Sequence, residues 1–140
     1  MFCTLVAATV ATIALSLQSN AQTAEAGAEA FDQQCASCHV VVNGAGQTLA
    51  GKRARTGPNL YGVAGAPAAR IDGFRYGSGL RAAAEAGLIW DDATFVAFIT
   101  DTNGFLREFT GDRKARSKMA GKAKSAEDAA AIFAFLKSVQ

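Results

Sequence analysis

An all-α domain of about four to five short helices joined by long loops, its first and last helices crossing, is what this sequence predicts. Three observations carry the prediction. Fourteen glycines stand against two prolines, and no run of strand-forming residues extends beyond a few positions. Small and apolar residues recur at helical spacing near both ends of the chain. Capping residues and glycines punctuate the segments between them. A length of 140 residues leaves room for one domain and little else. The formal net charge of +2 points to no nucleic-acid partner.

In chain order, residues 2–17 are apolar and uncharged, and Ser19-Asn20-Ala21 closes the stretch with small residues that suit a signal peptidase. Residues 1–21 are therefore expected to be a cleaved export signal, leaving a single domain over 22–140 and a periplasmic location. The apolar run lacks a preceding Lys or Arg, and it falls short of the roughly 20 residues that span a bilayer, so no stable membrane insertion is expected. Cys3 and Met1 would leave with the signal.

A helix is predicted over 23–36, where Gly27, Phe31 and Cys35 share one face. Between 40 and 76 mostly loop is expected. A short helix near 79–86 ends at Gly87. Asp91 or Asp92 caps another over 92–100, with Phe95, Phe98 and Ile99 at helical spacing. Ser125 caps the last helix, which runs to about 137 with Asp128 at N3. Its buried stripe is Ile132, Phe135, Leu136 and Val139, and Gly27 would let it cross the first helix closely.

Chemistry concentrates in Cys35-Ala36-Ser37-Cys38-His39. Two thiols separated by two residues reach both vinyl groups of one porphyrin, and the next residue sets an imidazole under the iron, so the run reads as covalent attachment of haem c. His39 becomes the proximal ligand. A thioredoxin-like dithiol leaves the histidine idle, and it needs a strand where the preceding residues read as helix. Zinc needs four ligands, and His39 is the only histidine. A disulfide between such close neighbours would close a tiny loop and contribute little.

For the same reason a second imidazole is excluded as sixth ligand within the monomer. Once Met1 is removed, Met119 is the one thioether in the chain. It sits in a polar run, Ser117-Lys118-Met119-Ala120-Gly121-Lys122, without the apolar periodicity of a core position. A soft thioether favours ferrous iron and raises the potential. An open sixth position that binds a small molecule is the remaining alternative.

With these features in place the sequence resembles class I cytochromes c, closest to the soluble bacterial cytochrome c2 group. The likeness spans the mature chain through Gly57-Pro58-Asn59-Leu60, Phe74-Arg75-Tyr76-Gly77, Leu88-Ile89-Trp90, Ser117-Lys118-Met119 and Ile132-Phe133-Ala134-Phe135-Leu136-Lys137. It implies the cytochrome c fold around one haem. It also implies that the Pro58 carbonyl accepts the proximal imidazole proton. Trp90 and Tyr76 would hydrogen-bond one haem propionate, and Ser117 the other. Two departures stand out. Phe98 replaces a tyrosine whose hydroxyl touches the methionine sulfur in many relatives, and the loop between His39 and Pro58, with Asn43-Gly44-Ala45-Gly46, is long.

The resemblance implies a carrier of single electrons, not an enzyme, working between a cytochrome bc-type donor and a terminal oxidase, reductase or photosynthetic reaction centre. Arg107, Arg113, Lys114, Arg116, Lys118, Lys122 and Lys124 surround the methionine segment, and Lys52, Arg53 and Arg55 precede the Gly-Pro-Asn-Leu segment. Two basic clusters flanking one haem edge suit fast, reversible docking of a monomer on the acidic faces of membrane redox complexes. A dedicated subunit of one redox enzyme, and a haem enzyme or sensor, are the competing readings.

Overall fold

Ser125 begins the last helix as its sequence suggests. The Ser125 hydroxyl accepts from the Asp128 N–H at 3.0 Å, and Glu127 and Asp128 fill the acidic first turn. The computed structural model describes residues 23–140; the predicted export signal, with Met1 and Cys3, lies outside the described residues. In the described part, α1 covers 23–34, followed by α2 (Ser78–Glu85), α3 (Asp92–Thr100), α4 (Thr102–Thr110) and α5 (Ala126–Ser138). None of these helices is long and apolar enough to cross a membrane.

The terminal helices cross as expected. A Cβ built on Gly27 would collide with the Ala131 carbonyl and lie 2.9 Å from Phe135 Cβ, so only glycine lets α1 and α5 meet there. Phe31 meets Phe135 at the junction, ring centres 5.7 Å apart, and Ile132, Phe135 and Leu136 of the predicted stripe are buried while Val139 is half-buried. α3 packs along α5, with Phe95 stacked on Phe133 at 4.5 Å between ring centres. One ion pair, Lys137 to Asp92 at 2.5 Å, is the only one among the described residues, and it lies on the exposed side of this contact.

Other boundaries follow local chemistry. α1 stops at residue 34 rather than 36, because the Phe31 carbonyl accepts from both Cys35 and Ala36 and the chain turns. Asp91 and Thr94 form a reciprocal capping box on α3, and these bonds hold the Asp91 carboxyl below its ordinary range. Gly87, at φ 89°, follows α2 at the predicted stop.

Two elements depart from expectation. The predicted loop after 40 contains a small antiparallel hairpin, β1 (Val41–Val42) and β2 (Thr48–Ala50), with Val41 opposite Ala50 and Val42 opposite Thr48. The Asn43 side chain closes it, accepting from the N–H groups of Ala45 at 3.1 Å and Gln47 at 3.0 Å. The β-branched run Val40-Val41-Val42 before Asn43-Gly44 carries the signal, too short to stand out. α4 was not expected either. Asp101 ends α3 and caps α4 through the Gly104 N–H at 3.1 Å, and Gly111 at φ 70° terminates it. Its apolar residues are few, Phe105, Leu106 and Phe109, and it packs against α2 and α3.

Candidate haem-binding cleft

Residues from every predicted block line one cavity of about 310 Å³. Cys35, Cys38, His39, Pro58, Tyr76, Trp90, Ser117 and Met119 are all on its walls.

His39 leaves the turn after α1 and is 8 % exposed. Its Nδ1 lies 2.9 Å from the Pro58 carbonyl, the bond expected for that pair. Desolvation lowers the pKa of the ring and the Pro58 carbonyl partly opposes the shift, so a neutral imidazole is favoured. Gly57 makes the cradle. A Cβ there would clash with His39 Cε1 and lie 2.5 Å from Nδ1 and 2.7 Å from Nε2. The segment is tied back through Gly57 N–H to the Cys38 carbonyl at 2.8 Å and Leu60 N–H to Val40 at 2.9 Å. Asn59 bonds both backbone groups of Val42, at 2.9 and 2.7 Å. The hairpin that the sequence hid therefore buttresses the histidine.

Cys35 and Cys38 are free, half-buried thiols at the end of α1. Burial, with a contribution from Cys38, pushes the Cys35 thiol up to about 11. A helix, not a strand, leads into the pair, which is not the setting of a thioredoxin-like dithiol.

Met119 is half-buried and packs on the core from the segment after α4. Its N–H donates to Ser117 Oγ at 2.9 Å, and the Ser117 N–H donates to Asn103 on α4 at 2.9 Å. Gly77 and Gly79 let this segment lie on the start of α2. A Cβ on Gly79 would come within 2.6 Å of the Arg116 carbonyl, and one on Gly77 within 3.1 Å of the Lys118 nitrogen. Gly79 carries no signal in the sequence, and Gly77 stands there only as the end of the Phe74-Arg75-Tyr76-Gly77 block.

Polar donors remain available to a carboxylate. Trp90 is 7 % exposed and its position is set by backbone bonds of 3.0 Å to Ala66 and 2.7 Å from Gly65. The Tyr76 oxygen accepts from the Ile71 N–H at 3.2 Å, which leaves its own proton free. Burial raises the Tyr76 pKa, opposed by that bond and by the nearby Arg70. Ser117 likewise accepts one bond and retains a donor. Arg70, also absent from the sequence reading, lines the cavity and donates to the Tyr61 carbonyl, just after Ala69 at φ 54°. Phe98 is buried in the cavity wall against Trp90, ring centres 5.0 Å apart, and brings no hydroxyl.

A cavity walled by aromatic and aliphatic groups, with one buried imidazole, two thiols at its rim, a thioether and several free donors, fits a haem covalently attached through its vinyl groups. Comparison with known proteins agrees. Residues 24–140 match the family model for cytochrome c. The chain belongs to the cytochrome c family. It is similar to cytochrome c2 of Rhodovulum adriaticum, 47 % identical over 83 % of this chain and 91 % of the relative. Cytochrome c-551 of Roseobacter denitrificans is 53 % identical over 79 % and 78 %. The crystal structure of cytochrome c2 from Rhodobacter sphaeroides superposes with a TM-score of 0.79, at 49 % identity, over 82 % of this chain and 94 % of that one. The fold is thus the cytochrome c fold, close to cytochrome c2, and the protein is an electron carrier with covalent haem c, not an enzyme.

Of the predicted basic residues, Lys118 and Lys122 reach the cavity rim, joined there by Arg70 and Arg75. Arg55, Arg75 and Lys118 converge on an adjoining pocket.

Proposed function

We propose that residues 1–21 direct export and that the domain over 22–140 works in the periplasm as a monomeric mono-haem carrier. It takes single electrons from a cytochrome bc-type complex and delivers them to a terminal oxidase, reductase or photosynthetic reaction centre. One observation supports this reading above others: the His39 Nδ1 is bonded to Pro58 at 2.9 Å, which leaves Nε2 as the ring nitrogen for iron in a cavity that Met119 also lines.

Haem c, linked through Cys35 and Cys38, supplies the one-electron couple. The chain does the rest. Pro58 fixes the His39 tautomer and makes the ring a better donor. Met119 brings a soft ligand that holds the potential up. Trp90, Tyr76 and Ser117 give hydrogen bonds to propionates whose burial without donors would cost several kcal/mol. Phe95, Phe98 and Ile99 keep water from the cavity. Arg75, Lys118 and Lys122 stand at its mouth, where positive charge steers acidic partners by association rate.

The test is a redox titration of the Met119→Ala variant beside wild type, with ferric absorbance. A far-red sulfur-to-iron band in wild type, lost in the variant together with a large fall in potential, is expected. An unchanged potential, or a high-spin wild type that binds cyanide at once, overturns the ligand assignment.

A further inference from the structure

Gln34 closes α1 directly before Cys35, is half-buried and lines the cavity. Both ends of its side-chain amide are used. Nε2 donates to Asp128 Oδ2 at 2.7 Å, in the first turn of α5. Oε1 accepts from the backbone N–H of Lys124 at 2.9 Å. Lys124 ends the segment that carries Met119.

That segment is unevenly held. Before the methionine, Ser117 is bonded to Asn103, Lys118 to the Arg75 carbonyl at 3.1 Å, and Met119 to Ser117. After it, Ala120, Gly121 and Lys122 make no hydrogen bond or ion pair in the described residues. A Cβ built on Gly121 would meet nothing within 4 Å. The return arm is secured at its end alone, by Ala123 N–H to the Ile99 carbonyl at 2.8 Å and by Lys124 to Gln34. One of these two anchors is therefore a side chain next to the first haem-attaching cysteine.

We propose that Gln34 is a positioning residue that pins the return arm of the Met119 segment to the cysteine-bearing end of α1, and so sets how readily the thioether leaves the cavity. The inference rests on Met119 being the sixth ligand. Its rival is a purely structural role in which Gln34 joins α1 to α5 through Asp128. The two bonds can be separated. Gln34→Glu keeps an acceptor for Lys124 but sets a carboxylate against that of Asp128, so it is made in the Asp128→Ala background. Asp128→Ala removes the α5 arm alone. Gln34→Ala removes both.

The experiment is displacement of Met119 from the ferric holoprotein by imidazole, read at saturating imidazole, where opening of the segment limits the rate. Gln34→Ala is expected to raise that rate about tenfold, the equivalent of one net hydrogen bond. Asp128→Ala, alone and with Gln34→Glu, should stay within a factor of about two of wild type while lowering the unfolding midpoint. Rates that rise in all three variants in step with lost stability, or that move in none, overturn the proposal. Amide exchange at Lys124 gives a second readout, faster in Gln34→Ala and unchanged in Asp128→Ala. A wild type without the far-red sulfur band overturns the ligand reading and this proposal with it; a band with unaltered rates overturns the proposal alone.

Discussion

The wall behind His39 and the wall behind Met119 enclose one cavity by different means. Behind the histidine, the imidazole is buried, bonded to Pro58, seated on Gly57 and backed by a hairpin whose first strand Asn59 holds by both backbone groups of Val42. Behind the methionine, an irregular segment lies on two glycines at the start of α2 and is held by single hydrogen bonds at intervals. A tightly packed seat tolerates little displacement, whereas a strap fixed at intervals opens locally at small cost. Under the proposed ligation, exchange is thus expected on the sulfur side, with the imidazole side keeping its hold.

The strongest way to break this contrast is Gly57→Ala. The new methyl group collides with the imidazole, and holoprotein stability should fall by about 3 kcal/mol in guanidinium titration; a loss under about 1 kcal/mol would mean that the seat yields after all. Asn59→Ala tests the same side more gently. It removes the two bonds to Val42 and one from Tyr61 at 3.1 Å, and should cost about 2 kcal/mol without quickening imidazole entry. On the other side, Ser117→Ala should cost about 1 kcal/mol yet speed imidazole binding, since the Met119 N–H loses its acceptor. Smallest is Ala69→Gly, which touches neither wall's ligand. Relief of the left-handed backbone should raise stability by roughly 0.5 kcal/mol, seen as a higher thermal midpoint, with imidazole kinetics unaltered.

The residues that bond locally were legible in advance. Ser125 and Asp91 cap their helices by contacts within three residues, and Gly27 marks the helix crossing because α1 and α5 each announce a buried face. The attachment motif is equally local, and Met119, the thioether of the proposed ligand pair, stands out by the scarcity of sulfur. What stayed hidden depends on distant partners. Gly57, Gly77 and Gly79 give no sign of a close approach until His39 or the Met119 segment lies on them. Gln34 is an unremarkable helix residue until Lys124 arrives beside it. α4 escaped because Phe105, Leu106 and Phe109 form a narrow stripe next to charged residues that drew attention as a basic cluster. The pairing of His39 with Pro58 and the cavity-facing positions of Trp90, Tyr76 and Ser117 were inferred by resemblance, since no periodicity marks them.

The crossing at Gly27 has an implication for biogenesis. Residue 27 meets residue 131 almost at the opposite end of the polypeptide, so the contact forms only after nearly the whole chain has been delivered. Until then Phe31 lacks the Phe135 ring of α5 that it packs on, so the cysteine-bearing end of α1 stays loosely held.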